Sequence, residues 1–372
     1  MLSWVHFGDL HMTRAEEQNH ADLLALVGDA NRHLAGGIDF AVLPGDNADN
    51  GTAEQYQIVR EAVRPLTMPL HILPGDHDFE SGSLQAFHEV LEAAPLPKAT
   101  VVNGHRCLFL DVVSAGGGGP DFRLDDAQLR WLEGQLKAAD EAAQTSIVFM
   151  HTYPADLRQG RCALLQLLAR YGVACVDTGH THYNELANDG RTIYAATRST
   201  GQIEEGPVGF SVAAVDDGVV SWRFKALAQP WPLVLITSPA DVRLVTRPQR
   251  CDQLLRPGKP FKVRARAWSS AGISHAQYRI ADASWQPLFP VPGDAVLWQG
   301  TAVAPTSAFR LTVQVEAKDG GVGEEEINVA VAGEFTAPER QADGSDKDAI
   351  AAWPSKGLLG TQLGPNKNGR KW

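Results

Sequence analysis

Residues 173–182 read VACVDTGHTH, a short apolar run that leads into a Gly-His-Thr-His turn. The run at 173–176 has the length of a buried β-strand. Two histidines in a tight turn after such a strand add little to packing, but side chains at positions i and i+2 of an extended segment point the same way. His180 and His182 can therefore face one cleft, and imidazole is a common metal ligand. The stretch predicts a buried strand that ends at a metal-binding loop.

Four further segments carry metal-binding side chains, either at the chain's first predicted strand or directly after a later one. They are Gly8-Asp9-Leu10-His11, Gly45-Asp46-Asn47-Ala48-Asp49-Asn50, Gly75-Asp76-His77-Asp78 and Met150-His151-Thr152. In α/β sheets, ligands collect beyond the carboxyl ends of the strands, so segments that lie tens of residues apart can converge. Alone, each segment is also compatible with an ordinary polar loop or turn. All five in this order favour one shared site.

The donors of these segments exceed the needs of one tetrahedral zinc ion. They are three carboxylates and four imidazoles, namely Asp9, Asp46, Asp76, His11, His151, His180 and His182. A mixture of nitrogen and oxygen ligands suits zinc, manganese or iron better than magnesium or calcium. The set predicts a two-metal centre in which one carboxylate bridges the ions. Six other histidines lie in helix, strand or sandwich patterns and are interpreted as structural: His20, His33, His71, His88, His105 and His275.

Up to about residue 190, short apolar runs alternate with segments of helical periodicity. The predicted strands are 5–7, 38–43, 70–73, 107–113, 147–150 and 173–176, and the predicted helices are 16–34, 54–63, 126–138 and 163–171. This alternation predicts an α/β domain with buried strands. Three short strands follow at 192–196, 210–215 and 219–224, with Asp216-Asp217-Gly218 as a hairpin turn between the last two.

The composition changes near residues 229–232, and helical periodicity is hard to find from there to about residue 333. At 261–267 and 311–316, apolar and polar residues alternate as in strands with one solvated face. Several such strands separated by Pro and Gly predict a small antiparallel β-sandwich. We therefore expect an α/β catalytic domain at 1–228, an all-β sandwich at 232–333 and an extended tail at 334–372. The tail is ordered only where Trp353, Leu358 or Trp372 packs on another surface.

The chain has 372 residues, of which 44% are hydrophobic and 21% charged, a balance typical of a globular protein. Its formal net charge of −11 argues against broad binding to nucleic acid or anionic lipid. No apolar stretch approaches the roughly 20 residues of a membrane-spanning helix, and the first residues lack a secretory signal pattern. We expect a cytoplasmic protein without membrane partners. Cys107, Cys162, Cys175 and Cys251 form no CxxC pair, which predicts reduced, buried thiols.

Taken in order, the motifs Asp-x-His, Gly-Asp-x-x-Asp, Gly-x-His-Asp, His and Gly-His-x-His resemble those of the calcineurin-like metallophosphoesterase superfamily. The likeness covers about residues 1–228 and is greatest to the class III cyclic nucleotide phosphodiesterases and related glycerophosphodiesterases. It implies a four-layer α-β-β-α sandwich with a dinuclear site at the sheet edge. The domain after Pro232 is similar to immunoglobulin or fibronectin type III sandwiches.

The resemblance also implies how the ligands divide between the two ions. Asp9, His11, Asp46 and His182 would hold one metal, and Asp46, Asp76, His151 and His180 would hold the second, with Asp46 as the bridge. One position departs from the superfamily: the common motif is Gly-Asn-His-Asp, whereas here a carboxylate, Asp76, replaces the amide. A carboxylate still binds a hard cation, but its extra charge lowers the Lewis acidity of the bound ion. We expect an intact site with an altered metal preference or pH optimum.

These residues predict a metal-dependent phosphodiesterase that hydrolyses small diesters such as 3',5'- or 2',3'-cyclic nucleotides or glycerophosphodiesters. Two ions would neutralise the phosphate oxygens and supply a bridging hydroxide that attacks phosphorus. His77 is the candidate that assists the leaving oxygen. By analogy with the superfamily, Asp49 orients His77 through a carboxylate–imidazole hydrogen bond. Asn47 and Arg198 are candidate substrate-binding residues, for which turn capping and a surface position are the alternatives.

Two other functions stay open at this point. The chain is alternatively a phosphomonoesterase, or a non-catalytic scaffold protein that keeps the metals as a structural centre. His77 favours catalysis, because a scaffold does not require it. The sandwich is a candidate interface for a homo-oligomer or a cap over the cleft.

Overall fold

The computed structural model describes residues 1–246, 254–333 and 348–360. Residues 1–226 contain five α-helices, α1 (Gln18–Asp29), α2 (Ala53–Val63), α3 (Gln85–Leu91), α4 (Asp126–Glu141) and α5 (Arg161–Tyr171). They also contain the strands β1 (Leu2–Phe7), β2 (Phe40–Leu43), β3 (Leu70–Ile72), β4 (Lys98–Val102), β5 (His105–Phe109), β6 (Thr145–Phe149), β7 (Cys175–Thr178), β8 (Glu185–Asn188), β9 (Ile193–Ala196), β10 (Gly209–Asp216) and β11 (Val219–Ala226).

These strands form two sheets whose parallel strands end at one edge. The five-stranded sheet has the order β11-β10-β1-β2-β3, with β1, β2 and β3 parallel. The six-stranded sheet has the order β4-β5-β6-β7-β9-β8, with β5, β6, β7 and β9 parallel. Because the predicted donor segments follow β1, β2, β3, β6 and β7, the topology delivers them to the carboxyl ends of the strands.

The two sheets face each other, and helices cover their outer faces. Alternate side chains of β1 show this: Trp4 belongs to the core between the sheets, whereas Val5 packs with residues of α1. In the inner core Phe109 and Phe149 stack with ring centroids 4.8 Å apart, and Trp4 meets the edge of Phe149 at 5.4 Å. This arrangement confirms the predicted four-layer α-β-β-α fold.

A buried polar link also joins the two sheets. His6 of β1 lies with Nδ1 2.6 Å from Oδ1 of Asp177 on β7, and the indole N–H of Trp4 donates to the other carboxylate oxygen. All three side chains are buried. Because a buried carboxylate without hydrogen-bond partners is costly, these two contacts stabilise Asp177 in the interior. Neither His6 nor Asp177 belongs to a motif that indicates such a role.

The observed elements differ from the predicted ones mainly at their ends. The fifth strand ends at Phe109 instead of residue 113, because Oδ1 of Asp111 accepts bonds from the N–H groups of Val113 and Ser114 and turns the chain. The turn at Asp217 and Gly218 has the predicted hairpin form, and both residues have positive φ. Helix α3 and strands β4 and β8 were not predicted, since they are short and lack a clear apolar period.

The remaining strands build the predicted all-β part. They are β12 (Leu233–Ser238), β13 (Pro260–Trp268), β14 (Ile273–Ile280), β15 (Gln286–Pro287), β16 (Phe289–Pro290), β17 (Leu297–Val303), β18 (Phe309–Ala317) and β19 (Val322–Val329). They form two four-stranded sheets, β12-β13-β17-β16 and β15-β14-β18-β19, around one apolar core. Cys251 lies outside the described residues; Cys107 and Cys175 are buried as expected, but Cys162 is exposed.

Several contacts join this sandwich to the end of the first domain that lies away from the donor segments. Gly37, which precedes β2, accepts hydrogen bonds from Arg266 and Trp268. Asp216, at the end of β10 that pairs with the start of β1, contacts the guanidinium group of Arg264 at 2.9 Å. Asn188, at the far end of β8, donates to carbonyl groups of residues 243 and 245. Among the described residues, these contacts do not place the sandwich as a cap over the donors.

A segment that we call the strap, residues 348–360, runs back across the side of the first domain. The N–H of Ile350 donates to Leu186 of the edge strand β8, and Ile350, Trp353 and Leu358 enter the core between the two sheets. The strap belongs to the predicted tail; residues 334–347 and 361–372, with Trp372, lie outside the described part. In that part no helix has the length and apolar character needed to cross a membrane.

We predict that Trp353→Ala destabilises the first domain, because Trp353 is 4% exposed and fills the side of the inner core. Loss of a buried tryptophan typically costs about 3–5 kcal/mol. Chemical denaturation followed by circular dichroism measures the effect. Phe289→Ala is the control, because Phe289 is 63% exposed, and it should change the unfolding midpoint little. Equal midpoints for the two variants would show that the strap does not pack as described.

Candidate metal centre

The seven predicted donors converge at the carboxyl ends of the strands. Two groups of four ligand atoms each lie within 4.8 Å of one another: Asp9, His11, Asp46 and His182 in the first, and Asp46, Asp76, His151 and His180 in the second. All seven side chains are buried. Only Asp46 belongs to both groups, so its carboxylate lies between them.

The individual distances show how tightly the donors are gathered. In the first group, Nε2 of His11 lies 2.8 Å from Nε2 of His182 and 3.6 Å from Oδ2 of Asp46. In the second group, Nε2 of His151 lies 3.4 Å from Oδ2 of Asp46 and 3.1 Å from Oδ1 of Asp76. Nδ1 of His180 lies 3.3 Å from the same oxygen of Asp76. Two adjoining sites of mixed nitrogen and oxygen ligands result.

Glycines in three of the donor segments make this convergence sterically possible. A Cβ atom on Gly75 would lie 2.1 Å from Oδ1 of Asp46, and one on Gly179 would lie 2.3 Å from Oδ1 of Asp9. A Cβ atom on Gly45 would lie 2.2 Å from Nδ1 of His151. Any larger residue at these positions would enter the space of a donor side chain, so the close approach requires glycine.

Four of the donors occupy a backbone conformation that side chains rarely adopt. The φ angles of His11, Asp46, His180 and His182 are 41°, 49°, 66° and 61°. A non-glycine residue with positive φ is strained, and such residues concentrate at functional sites. The strained backbone at these four positions directs their side chains toward the same site.

The electrostatics of the donors fit divalent cations. Burial raises the pKa of Asp9 to about 7, while burial lowers the pKa of His11 to about 4 and that of His182 to about 3. The two histidines are thus neutral at pH 7, the form that binds metal. Oδ1 of Asp9 and the Nδ1 atoms of His11 and His182 are buried without a hydrogen-bond partner in the described structure. The pKa values of His151 and His180 are instead raised, since burial disfavours the charged rings but the negative charges of Asp46 and Asp76 outweigh it. The same negative charge attracts cations.

Comparison with known proteins identifies this part of the chain. Residues 3–184 match the family described as calcineurin-like phosphoesterase. They form a calcineurin-like phosphoesterase domain. This family uses two divalent metals, in agreement with the two donor groups that share Asp46.

Curated relatives of the phosphoesterase domain include two named phosphodiesterases. The probable glycerophosphodiester phosphodiesterase GpdQ of Arcobacter nitrofigilis is 29% identical over 170 residues, which cover 39% of this chain and 56% of GpdQ. The 3',5'-cyclic adenosine monophosphate phosphodiesterase CpdA of Escherichia coli K12 is 28% identical over 194 residues, which cover 50% of this chain and 68% of CpdA. The match thus spans little more than half the length of the first relative.

A solved structure supports the fold of the phosphoesterase domain. The dimetal phosphatase from Danio rerio superposes with a TM-score of 0.52 at 14% sequence identity. The superposition covers 61% of this chain and 97% of the zebrafish structure. At this low identity the likeness concerns the fold alone.

The predicted bond between the carboxylate of Asp49 and His77 is wrong. Nδ1 of His77 lies 2.8 Å from the backbone carbonyl oxygen of Asp49 but 4.0 Å from its carboxylate. That carboxylate instead accepts a bond from Gln202 at 2.7 Å. Asp49 therefore orients the ring of His77 through its main chain, and the side chain of His77 remains 28% exposed.

The two predicted substrate-binding residues do not present their donors to a phosphate. The amide nitrogen of Asn47 bonds to the carbonyl of Leu73 and the carboxylate of Asp78, at 2.8 and 2.9 Å, and its side chain is buried. The guanidinium group of Arg198 is also buried, and it donates to the carbonyl oxygens of Pro207 and Gly357. Both side chains hold protein segments together, so their predicted role in substrate binding is not supported.

Asp78 is a residue of the site whose role the sequence motifs did not predict. Its buried carboxylate accepts bonds from the N–H groups of Asn47, Ala48 and Gly75 at 2.9–3.1 Å. Tyr56 of α2 adds a hydroxyl bond at 3.0 Å. Burial and the charge of Asp46 raise the pKa of Asp78 to about 6. The carboxylate holds together the loops that carry Asp46 and Asp76. The sequence feature that could have pointed to Asp78 is its position two residues after the predicted ligand Asp76.

We predict that Gly179→Ala lowers metal content, because its Cβ would collide with Oδ1 of Asp9. Purified protein is loaded with Mn²⁺, dialysed and analysed by atomic emission for ions per chain. Gly134→Ala is the matched control: Gly134 lies in α4, no atom lies within 4 Å of the added methyl, and helix propensity favours alanine by roughly 0.5–1 kcal/mol. Equal metal content in both variants would refute the role of Gly179.

Proposed function

We propose that the protein is a dinuclear metal-dependent phosphodiesterase that hydrolyses small phosphodiesters. The observation that carries this proposal is the position of Asp46 in both donor groups, since a shared carboxylate suits two ions held side by side. The seven donors would hold the ions in the two groups described above. Their chemistry favours manganese, iron or zinc.

Hydrolysis of a phosphodiester requires neutralisation of an anionic substrate and activation of water. Two ions bound by the seven donors would supply both, together with a template for in-line displacement. The protein's contribution is to fix the ions through buried, strained donor loops and to keep the donors dry. Asp78 maintains the spacing of two of these loops through its bonds to three backbone N–H groups.

His77 is the residue best placed to act on the leaving group. Its ring lies edge-on to the ring of His11, with centroids 4.6 Å apart, so it borders the first donor group. Nδ1 donates to the carbonyl of Asp49, so Nε2 is the ring nitrogen left for contact with a substrate. Burial disfavours the charged ring, but the negative charge of Asp46 and the bond to Asp49 raise the pKa of His77 overall. The imidazolium form can give a proton to, or stabilise, the departing alkoxide.

The choice of a diester substrate is supported by the names of the relatives. GpdQ is named for glycerophosphodiesters and CpdA for 3',5'-cyclic adenosine monophosphate. Both substrates are small diesters with one anionic phosphate and an alkoxide leaving group. We propose that this chain acts on cyclic nucleotides or glycerophosphodiesters.

A turnover screen of the Mn²⁺-loaded protein tests the proposed function. The substrates are bis-p-nitrophenyl phosphate, p-nitrophenyl phosphate, 3',5'- and 2',3'-cyclic nucleotides and glycerophosphodiesters. The proposal expects kcat/KM to be higher for the diester chromogen than for the monoester. A preference for the monoester would make the chain a phosphomonoesterase. Metal binding without turnover of any ester would favour the scaffold alternative.

We predict that His77→Ala lowers kcat for the best diester by about 10²–10⁴-fold, the usual range for a general acid. Metal content should remain unchanged, because His77 is not a member of the two four-donor groups. His275→Ala is the control, since His275 lies on the exposed face of β14 in the sandwich. The assignment of His77 fails if its variant keeps wild-type kcat at full metal content.

We predict that Asp76→Asn alters metal retention in the second donor group. One oxygen of Asp76 approaches both His151 and His180, so the substitution removes a negative charge from the second group. The measurements are metal content after dialysis against Mn²⁺, Zn²⁺ and Mg²⁺, and the pH–rate profile. Asp282→Asn makes the same charge change at a side chain that is 91% exposed. Identical metal selectivity and pH profiles in wild type and Asp76→Asn would contradict the prediction.

A further inference from the structure

The segment at residues 197–201 forms hydrogen bonds with the backbone of the first donor group. The carbonyl oxygen of Asp9 accepts bonds from the N–H groups of Thr200 and Gly201, at 2.9 and 3.0 Å, and from the hydroxyl of Ser199 at 2.8 Å. The N–H of Ser199 also donates to the carbonyl of His182, at 3.4 Å. The segment thus contacts the backbone of two donors that come from different sheets.

Arg198, in the middle of this segment, anchors it in the protein interior. Its backbone N–H donates to the side chain of Asn184 at 2.8 Å, and its guanidinium donates to the carbonyl of Gly357 at 2.6 Å. The guanidinium lies 4.4 Å above the ring of Phe224 and 3.5 Å from Glu205. Arg198 is only 2% exposed. A buried guanidinium is costly unless its donors find such partners, so its position depends on them.

The carbonyl oxygen of Gly357 is the point where the strap meets this network. It accepts a bond from Asn184 at 3.0 Å in addition to the one from Arg198. Asn184 lies two residues after His182, so the strap contacts the chain just after the donor loop as well as the segment at residues 197–201. Gly357 has a φ of 90°, and a Cβ atom there would lie 2.7 Å from Cβ of Phe224. Glycine is therefore what allows the carbonyl to reach Asn184 and Arg198.

The residues of the strap that precede Gly357 are bound to the sandwich. Lys356 is 2% exposed and forms an ion pair with the buried carboxylate of Glu325 on β19. The guanidinium group of Arg243 lies 3.2 Å above the ring of Trp353. A continuous set of contacts therefore runs from the sandwich through the strap to the donor loops of the phosphoesterase domain.

We propose that Arg198 and Asn184 are positioning residues whose attachment to the carbonyl of Gly357 sets the geometry of Asp9 and His182, so that affinity for one of the two ions depends on the strap. The proposal rests on the proposed metal centre. It gives the sandwich a purpose: the sandwich lies at the far end of the sheets, but it anchors the strap that supports the first donor group. Residues that orient metal ligands from behind commonly change metal affinity by about 10–100-fold when substituted.

Titration of the full-length, metal-free protein with Mn²⁺ by calorimetry tests this proposal. Gly357→Ala should lower the affinity for one of the two ions by about tenfold or more and leave the affinity for the other unchanged. Arg198→Lys, which keeps the charge but cannot make the same planar set of bonds, should act in the same direction. Thermal unfolding of the metal-free variants shows whether each one is folded. If Gly357→Ala does not fold, the proposal is tested with Arg198→Lys.

Two controls isolate the effect of the strap. Gly320→Ala introduces alanine at a similar φ of 87°, but no atom lies within 4 Å of the added methyl. Ser355→Ala changes an exposed side chain of the strap itself. Both variants should bind two ions with wild-type affinity. A loss of affinity in Gly320→Ala equal to that in Gly357→Ala would contradict the proposal.

Steady-state kinetics measured over a series of Mn²⁺ concentrations separate positioning from substrate contact. Positioning predicts that Arg198→Lys requires more Mn²⁺ for half-maximal kcat while KM for the diester stays close to the wild-type value. An increase in KM with unchanged Mn²⁺ affinity would assign Arg198 to the substrate and overturn the proposal. The calorimetry does not depend on turnover. A protein that binds two ions but hydrolyses no ester would refute the proposed function, and the effect of the strap on metal affinity could still be measured.

Discussion

Three carboxylates and four imidazoles share one buried volume, and the rest of the first domain is arranged around that constraint. Carboxylates close together in a medium of low dielectric repel each other strongly unless cations lie between them. Two divalent ions would bring four positive charges against the three negative charges of Asp9, Asp46 and Asp76. A chain with a formal net charge of −11 would then present a locally positive site to an anionic diester.

The features around the donors follow from the need to hold them in place. Parallel strands deliver the five segments to one edge, glycines at 45, 75 and 179 permit the close approach, and four donors accept a left-handed backbone. Rigid support offsets this strain. Asp78 supplies it on one side through three backbone N–H groups, and the segment around Arg198 supplies it on the other. The strap connects that second support to the sandwich.

The sequence was sufficient to predict the layers of the fold and the convergence of the donors, because both depend on local patterns. Apolar runs followed by Asp and His identify strand ends, and parallel topology brings those ends together. The roles of Arg198, Asn47 and Asp49 could not be obtained in this way. Arg198 bonds to Gly357, which lies 159 positions away, and no local pattern reveals such a partner. For Asp49, sequence identifies the residue but not whether its carboxylate or its carbonyl faces His77.

We propose that the carboxylate of Asp46 lies between two ions. Electron paramagnetic resonance of the Mn²⁺-loaded protein at two ions per chain tests it most directly, because two manganese ions that share a carboxylate are magnetically coupled. The account predicts the spectrum of a coupled pair, replaced by that of isolated ions in Asp46→Ala. A wild-type protein that shows only the spectrum of isolated Mn²⁺ at full loading would contradict it.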